Sequence, residues 1–173
     1  MPSNASPVSP ASLGGTTPAC PREIEYRFLV EDTSWLQGEG VRITQGYLNQ
    51  DKHRTVRLRI AGDNAYLTIK GLTVNATRPE FEYEIPAAHA NELMLLCEGA
   101  LVEKTRYFVT YEGFLWSVDV FHGLNEGLCI AEIELESEDQ PFAKPDWAGP
   151  DITREFIYAN SSLSVTPYTT WLR

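Results

Sequence analysis

A chain of 173 residues with a formal net charge of −10 suits a single domain whose core is large enough to fold without disulfides or a structural metal. The acidic balance argues against a general nucleic-acid binder, which carries a basic footprint, but leaves room for a local basic pocket and hence for phosphate. No uninterrupted apolar stretch of about 18 residues occurs, so no membrane span is expected.

Residues 1–21 are rich in Ser, Pro, Gly, Thr and Ala, with neither a basic start nor an apolar run. They read as a disordered tail rather than a signal peptide, ahead of a single domain over 22–173. A cytoplasmic location follows as the default. Cys20, Cys97 and Cys129 form no Cys-x-x-Cys pair, and His53, His89 and His122 stand apart from them without zinc-ligand spacing. An odd cysteine count with no framework suits a reducing compartment.

Strands are expected near 23–31, 41–48, 54–61, 65–70, 78–85, 101–111, 114–121 and 128–136, punctuated by turns such as Gly62-Asp63-Asn64 and Gly123-Leu124-Asn125. Short connections between most of them favour antiparallel hairpins, since a parallel crossover needs a dozen or more residues. A helix is expected over 87–98, opened by Pro86 and stopped by Gly99. A second is expected over 151–158, capped by Asp151, with 140–150 a Pro- and Gly-rich loop before it.

The strands share a pattern. Glu23, Glu25 and Arg27 alternate with Ile24, Tyr26 and Phe28; Arg57 and Arg59 with Val56, Leu58 and Ile60; Glu80, Glu82 and Glu84 with Phe81, Tyr83 and Ile85; Glu132, Glu134 and Glu136 with Ile133 and Leu135. Alternation alone is the ordinary signature of a strand with one face in water. Here, however, the acidic runs place like charges roughly 7 Å apart along one face, a repulsion that something should compensate. Arg57 with Arg59 and Lys104 with Arg106 supply opposite charge if the strands close into a barrel with the charged faces inside. The expected class is therefore mainly β (α+β), an antiparallel closed barrel of eight strands with a charged interior and peripheral helices. Such a lumen must hold water, ion pairs, metal or a charged ligand, because an isolated buried charge costs several kcal/mol. Carboxylates suit Mg²⁺ or Mn²⁺, and arginines suit phosphate oxygens.

Several blocks in order carry a resemblance. They are Glu23-Ile24-Glu25-Tyr26-Arg27, Ile43-Thr44-Gln45-Gly46-Tyr47-Leu48, Val56-Arg57-Leu58-Arg59, Leu67-Thr68-Ile69-Lys70-Gly71, Glu80-Phe81-Glu82-Tyr83-Glu84-Ile85, Glu103-Lys104-Thr105-Arg106-Tyr107, Val118-Asp119-Val120-Phe121 and Ala131-Glu132-Ile133-Glu134-Leu135. Over about 22–168 the chain resembles the CYTH, or triphosphate tunnel metalloenzyme, superfamily, in its short bacterial branch. The resemblance implies an eight-stranded antiparallel tunnel and metal-dependent hydrolysis of inorganic triphosphate, with Mg²⁺ or Mn²⁺, two ions taking part in turnover. It implies Glu23, Glu25, Glu132 and Glu134 as metal ligands, and Arg57, Arg59, Lys70, Lys104 and Arg106 as the phosphate-binding set. Glu80, Glu82 and Asp119 become supporting acids, and Tyr47 a tunnel-lining residue. A homodimer is left open.

One position departs from the family pattern: Arg27 stands where the motif has Lys. Arginine keeps the charge but is bulkier and does not deprotonate near neutrality. Arg27 is thus placed among the catalytic and substrate-binding residues with Glu23 and Glu25. The alternatives are a triphosphate- or nucleotide-binding protein with weak catalysis, a nucleoside or thiamine triphosphatase, and an adenylate cyclase of the same fold. Trp35, Trp116, Trp147 and Trp171 are expected to pack helices and loops on the outer face of the barrel.

Overall fold

Alternating charged and apolar side chains give each strand two incompatible faces, and the sheet resolves the conflict by closing on itself. The computed structural model describes residues 20–51 and 53–171; residues 1–19 of the expected tail lie outside them. Among the described residues nine strands form: β1 (Arg22–Val30), β2 (Val41–Asn49), β3 (Arg54–Ala61), β4 (Asn64–Gly71), β5 (Thr77–Ile85), β6 (Glu98–Tyr111), β7 (Phe114–Phe121), β8 (Cys129–Glu134) and β9 (Ala148–Asp151). All pairings are antiparallel, in the order β5-β4-β3-β2-β6-β7-β8-β1-β9. Closure comes from β1 meeting β5, with Glu23 opposite Arg78.

Two expectations for the C-terminal part are corrected. The stretch expected as a loop contributes β9, because β1 pairs with β5 only over Arg22–Ile24 and leaves an open edge further along. There Phe28 lies opposite Asp151 and Val30 opposite Ala148. The helix expected over 151–158 is replaced by a 3-10 turn at Phe156–Tyr158 and a one-turn helix α2 at Asn160–Leu163. Asp151 ends β9, and its carboxylate accepts from the Thr153 N–H at 2.8 Å. That two-residue spacing makes an Asx turn, which competes with helix initiation.

The helix expected over 87–98 is also shorter. Helix α1 covers Ala87–Met94, and tight i→i+3 bonds carry the chain through Leu95, Leu96 and Cys97 into β6. Gly99 then takes φ +73°, a conformation that costs glycine little.

The outward faces form the core. Phe28, Trp116, Val118, Ile133 and Leu135 from the barrel wall are buried together with Trp35 and Trp147 from the loops. Val102, Phe121, Leu128, Ile130, Ile152 and Leu163 make a second cluster beneath the C-terminal segment. Fully burying a side chain such as Ile133 stabilises the fold by about 1.5–3 kcal/mol. Trp171 stacks edge-on against Tyr158 and Tyr168, so all four tryptophans pack outside the lumen. Among the described residues no helix is long and apolar enough to cross a membrane.

Candidate active site

Turning the apolar faces outward leaves the charged faces around one cavity of about 560 Å³, lined by seven basic and six acidic side chains. It gathers Glu23, Glu25, Arg27, Tyr47, Arg57, Arg59, Lys70, Glu80, Glu82, Lys104, Arg106, Glu132 and Glu134, thirteen of the fourteen candidates. Asp119, the fourteenth, is fully buried behind Lys104 and Arg106.

Three groups of ion pairs divide the wall. On β3–β5, Arg57 and Arg59 donate to Glu82 at 3.2 and 2.8 Å, while Thr68 donates to the same carboxylate at 2.8 Å. Where β1 meets β5, Glu23 accepts from Lys70 at 2.8 Å and from Arg78 at 2.9 Å, and Lys70 also reaches Glu80 at 2.9 Å. On β6–β7, Asp119 holds Lys104 at 2.6 Å and Arg106 at 2.7 Å, and Arg106 bridges on to Glu132. Pairing decides the protonation states. Burial alone would raise Glu23 and Asp119, yet both are held well below the usual carboxylate range: Glu23 by its hydrogen bond to Glu80 with Lys70 and Arg78, Asp119 by Arg106 and Lys104.

The β1–β8 wall behaves differently. Glu25 lies directly opposite Glu134 in the register, a like-charge pairing that destabilises a sheet. Burial, reinforced by the Glu132 and Glu23 charges, pushes Glu25 up to about 8. Burial likewise raises Glu134, which has no ion pair among the described residues. Glu25, paired only with Arg27 at 3.7 Å, and Glu134 are oxygen donors crowded by like charge, a set that fits a hard divalent cation. Among the described residues no three such side chains are already drawn together. Glu132 points to Arg106 and Glu23 to Lys70 and Arg78, so a cation would have to exchange those partners.

The basic wall has the opposite deficit. Arg57 Nε and Arg59 Nε are buried with no hydrogen-bond partner among the described residues. A buried unsatisfied donor costs about 1–3 kcal/mol, more when charged, so each calls for an acceptor. Tyr47 closes the floor nearby, its hydroxyl accepting from the fully buried Gln45 at 3.1 Å and pushed up to about 12 by burial.

Arg27 is tethered. Its guanidinium donates to the Thr153 carbonyl at 3.1 Å, its own N–H donates to Thr153 Oγ1 at 3.0 Å, and Glu25 stands 3.7 Å from its Nε. The fork thus faces the segment after β9 as well as the lumen, a contact that a single lysine amine would not reproduce in the same geometry.

Sequence reasoning passed over Arg78, Thr153 and Asn160, all of which line the cavity. A signal existed for Arg78, which sits two residues before Glu80 and therefore on the same strand face. None existed for Asn160, whose Oδ1 meets Lys104 Nζ at 3.3 Å only because the C-terminal segment folds back.

A closed antiparallel barrel whose lumen pairs basic walls against carboxylates defines a tunnel built for a polyanion. The chain belongs to the CYTH-domain family, whose profile it matches over residues 21–167. It is 47% identical over 149 residues to an inorganic triphosphatase of Acetivibrio thermocellus, spanning 85% of this chain and 96% of that one. An inorganic triphosphatase of Nitrosomonas europaea is 34% identical over 148 residues, spanning 83% of this chain and 97% of that protein. A solved inorganic triphosphatase structure, 35% identical, superposes with a TM-score of 0.60 over 83% of this chain and 94% of that one.

Proposed function

We propose that this chain hydrolyses inorganic triphosphate, held end-on in the lumen by its basic walls. The observation that carries the reading is the pair of buried guanidinium donors, Arg57 Nε and Arg59 Nε, that have no partner among the described residues. Phosphate oxygens are the acceptors that an arginine fork meets best. The two inorganic triphosphatases at 47% and 34% identity support the same substrate.

Charge balance gives the chain's residues their roles. Every basic side chain of the lumen already holds a carboxylate, so a polyanion must draw some of them away. Arg57 and Arg59 fix one end of the phosphate chain, while Lys70, Arg78, Lys104 and Arg106 spread its remaining charge. The released carboxylates then need a counter-cation. Glu25, Glu132 and Glu134, with Glu23, would hold Mg²⁺ or Mn²⁺, which when bound neutralises phosphate oxygens and lowers the pKa of a bound water. With the phosphate chain so held, a water can attack the terminal phosphorus in line while the bond to its bridging oxygen breaks, the electron pair leaving with pyrophosphate and the water's proton passing to solvent, and positioning supplies much of the rate.

Phosphate release from tripolyphosphate with Mg²⁺ or Mn²⁺ is expected to exceed release from ATP and to vanish in Glu25→Ala. Equal rates for that variant and the unaltered chain would sink the proposal.

A further inference from the structure

We infer that Thr68, which does not line the cavity, is a positioning residue that lets Arg57 exchange its carboxylate for phosphate; the inference rests on the triphosphate reading. Thr68 stands opposite Arg57 of β3 and opposite Glu82 of β5, so the three side chains form one row across the wall. It is fully buried, and the lumen is lined on either side of it by Arg57 and Glu82. The chemistry of the partners fixes the direction of the bonds. A guanidinium has only donors, so Arg57 Nη2 donates to Thr68 Oγ1 at 3.1 Å, and the hydroxyl's single proton goes to Glu82 Oε2 at 2.8 Å.

Elsewhere in the lumen an arginine grips a carboxylate with the edge that carries Nε and Nη2: Arg78 holds Glu23 this way, and Arg106 holds Asp119. Arg57 and Arg59 use half of that edge. Each gives Nη2 to Glu82, while its Nε has no partner among the described residues. To meet a phosphate bidentately, the Nη2 must leave Glu82 and join the waiting Nε.

What the carboxylate keeps then decides how easily each arm lets go. The bond from Arg59 to Oε1 is exposed to the lumen, so water can take the place that Arg59 leaves. Arg57 donates to Oε2 on the deeper side, next to the fully buried Thr68. There the Thr68 hydroxyl stands in for water: when Arg57 turns to phosphate, Oε2 still holds a donor. Without the hydroxyl, the same turn would strand a desolvated acceptor, so Glu82 would hold Arg57 back.

The test is Thr68→Val, which keeps the β-branched shape that suits a strand. Thermal melting checks that it folds, and Thr68→Ala is read in its place if it does not. Titration calorimetry with tripolyphosphate and Mg²⁺ should show about tenfold weaker binding. In phosphate-release assays KM should rise alike with kcat within about twofold, because the clamp serves ground and transition state equally. Thr68→Ser should restore both to within about twofold of the unaltered chain. In an Arg57→Lys background Thr68→Val should cost less than about twofold more, whereas in an Arg59→Lys background it should cost the full tenfold or so. Unchanged affinity in the hydroxyl-free variant overturns the role of Thr68, as does a loss that serine does not restore or a full loss in the Arg57→Lys background. Each of these leaves the triphosphate reading standing. Failure of the unaltered chain to bind tripolyphosphate overturns that reading and the role of Thr68 with it.

Discussion

On the proposed reading, Arg57 and Arg59 are each costly in the free chain and useful in the complex. Among the described residues each keeps its Nε donor buried without an acceptor, and the proposed function makes that a preorganisation for an anion at some expense in stability. Replacing Arg57 by Lys keeps the charge and removes the fork. Arg57→Lys should weaken tripolyphosphate binding by about tenfold or more, since a hydrogen bond to a charged group contributes about 1.5–3 kcal/mol; titration calorimetry reads it. Arg27 is a different case, because its guanidinium is committed to the Thr153 carbonyl. Arg27→Lys should lose about 1 kcal/mol of stability with that bond and retain hydrolysis. A urea midpoint and a phosphate-release assay on the same preparation separate the two effects.

The C-terminal segment matters at the scale of the element because it finishes what β1 leaves open. Strand β9 takes the unpaired edge of β1, and α2 returns to the start of β6, where the Ala100 N–H donates to the Ser164 carbonyl at 2.8 Å. Gly99 makes that approach possible. It sits at φ +73°, and a Cβ there would come 2.8 Å from the Ser164 carbonyl oxygen. Gly99→Ala should therefore combine backbone strain with a clash and cost about 1–3 kcal/mol, visible as a lowered melting temperature. Asn160 rides on the same segment, so loosening it should also weaken the Lys104 wall.

For the whole molecule, two balances set stability. The first is acid sensitivity. Asp119 is held below its ordinary 3.8 in the fold by Arg106 and Lys104, against the opposing effect of burial. A depressed carboxylate contributes stability that is fully present above its unfolded value and is lost as pH falls through the folded one. The urea midpoint should thus fall as pH drops below about 4. Asp119→Asn should be less stable at neutral pH, with Lys104 buried and short of a partner, and should show a flatter acid limb. The second balance is ligand linkage. Tripolyphosphate with Mg²⁺ at 100 times its dissociation constant should stabilise the fold by about 2.7 kcal/mol. A chelator should abolish most of that gain and all hydrolysis while leaving the ligand-free melting temperature unchanged, since the apolar core lies outside the lumen.

How much was legible beforehand follows from the range of each interaction. Charged and apolar positions alternate with period two within a strand, so Glu23, Arg57, Lys104 and Glu132 could be assigned to one face from their neighbours alone. The face then had to be the lumen, because like charges in rows need opposite charges across from them. Strand β9 had no such signal, since Ala148-Gly149-Pro150-Asp151 is extended only because an edge of β1 is free to receive it. Nor could local pattern say that Glu23 would be claimed by Lys70 and Arg78, 47 and 55 residues away. It could not show that Arg27 would tether Thr153. The sequence by itself determined which strand side chains line the lumen and what charge they bring. Only the tertiary structure decided which of them are paired and which are left wanting a partner, because closure of the barrel joins residues whose separation along the chain carries no periodic trace.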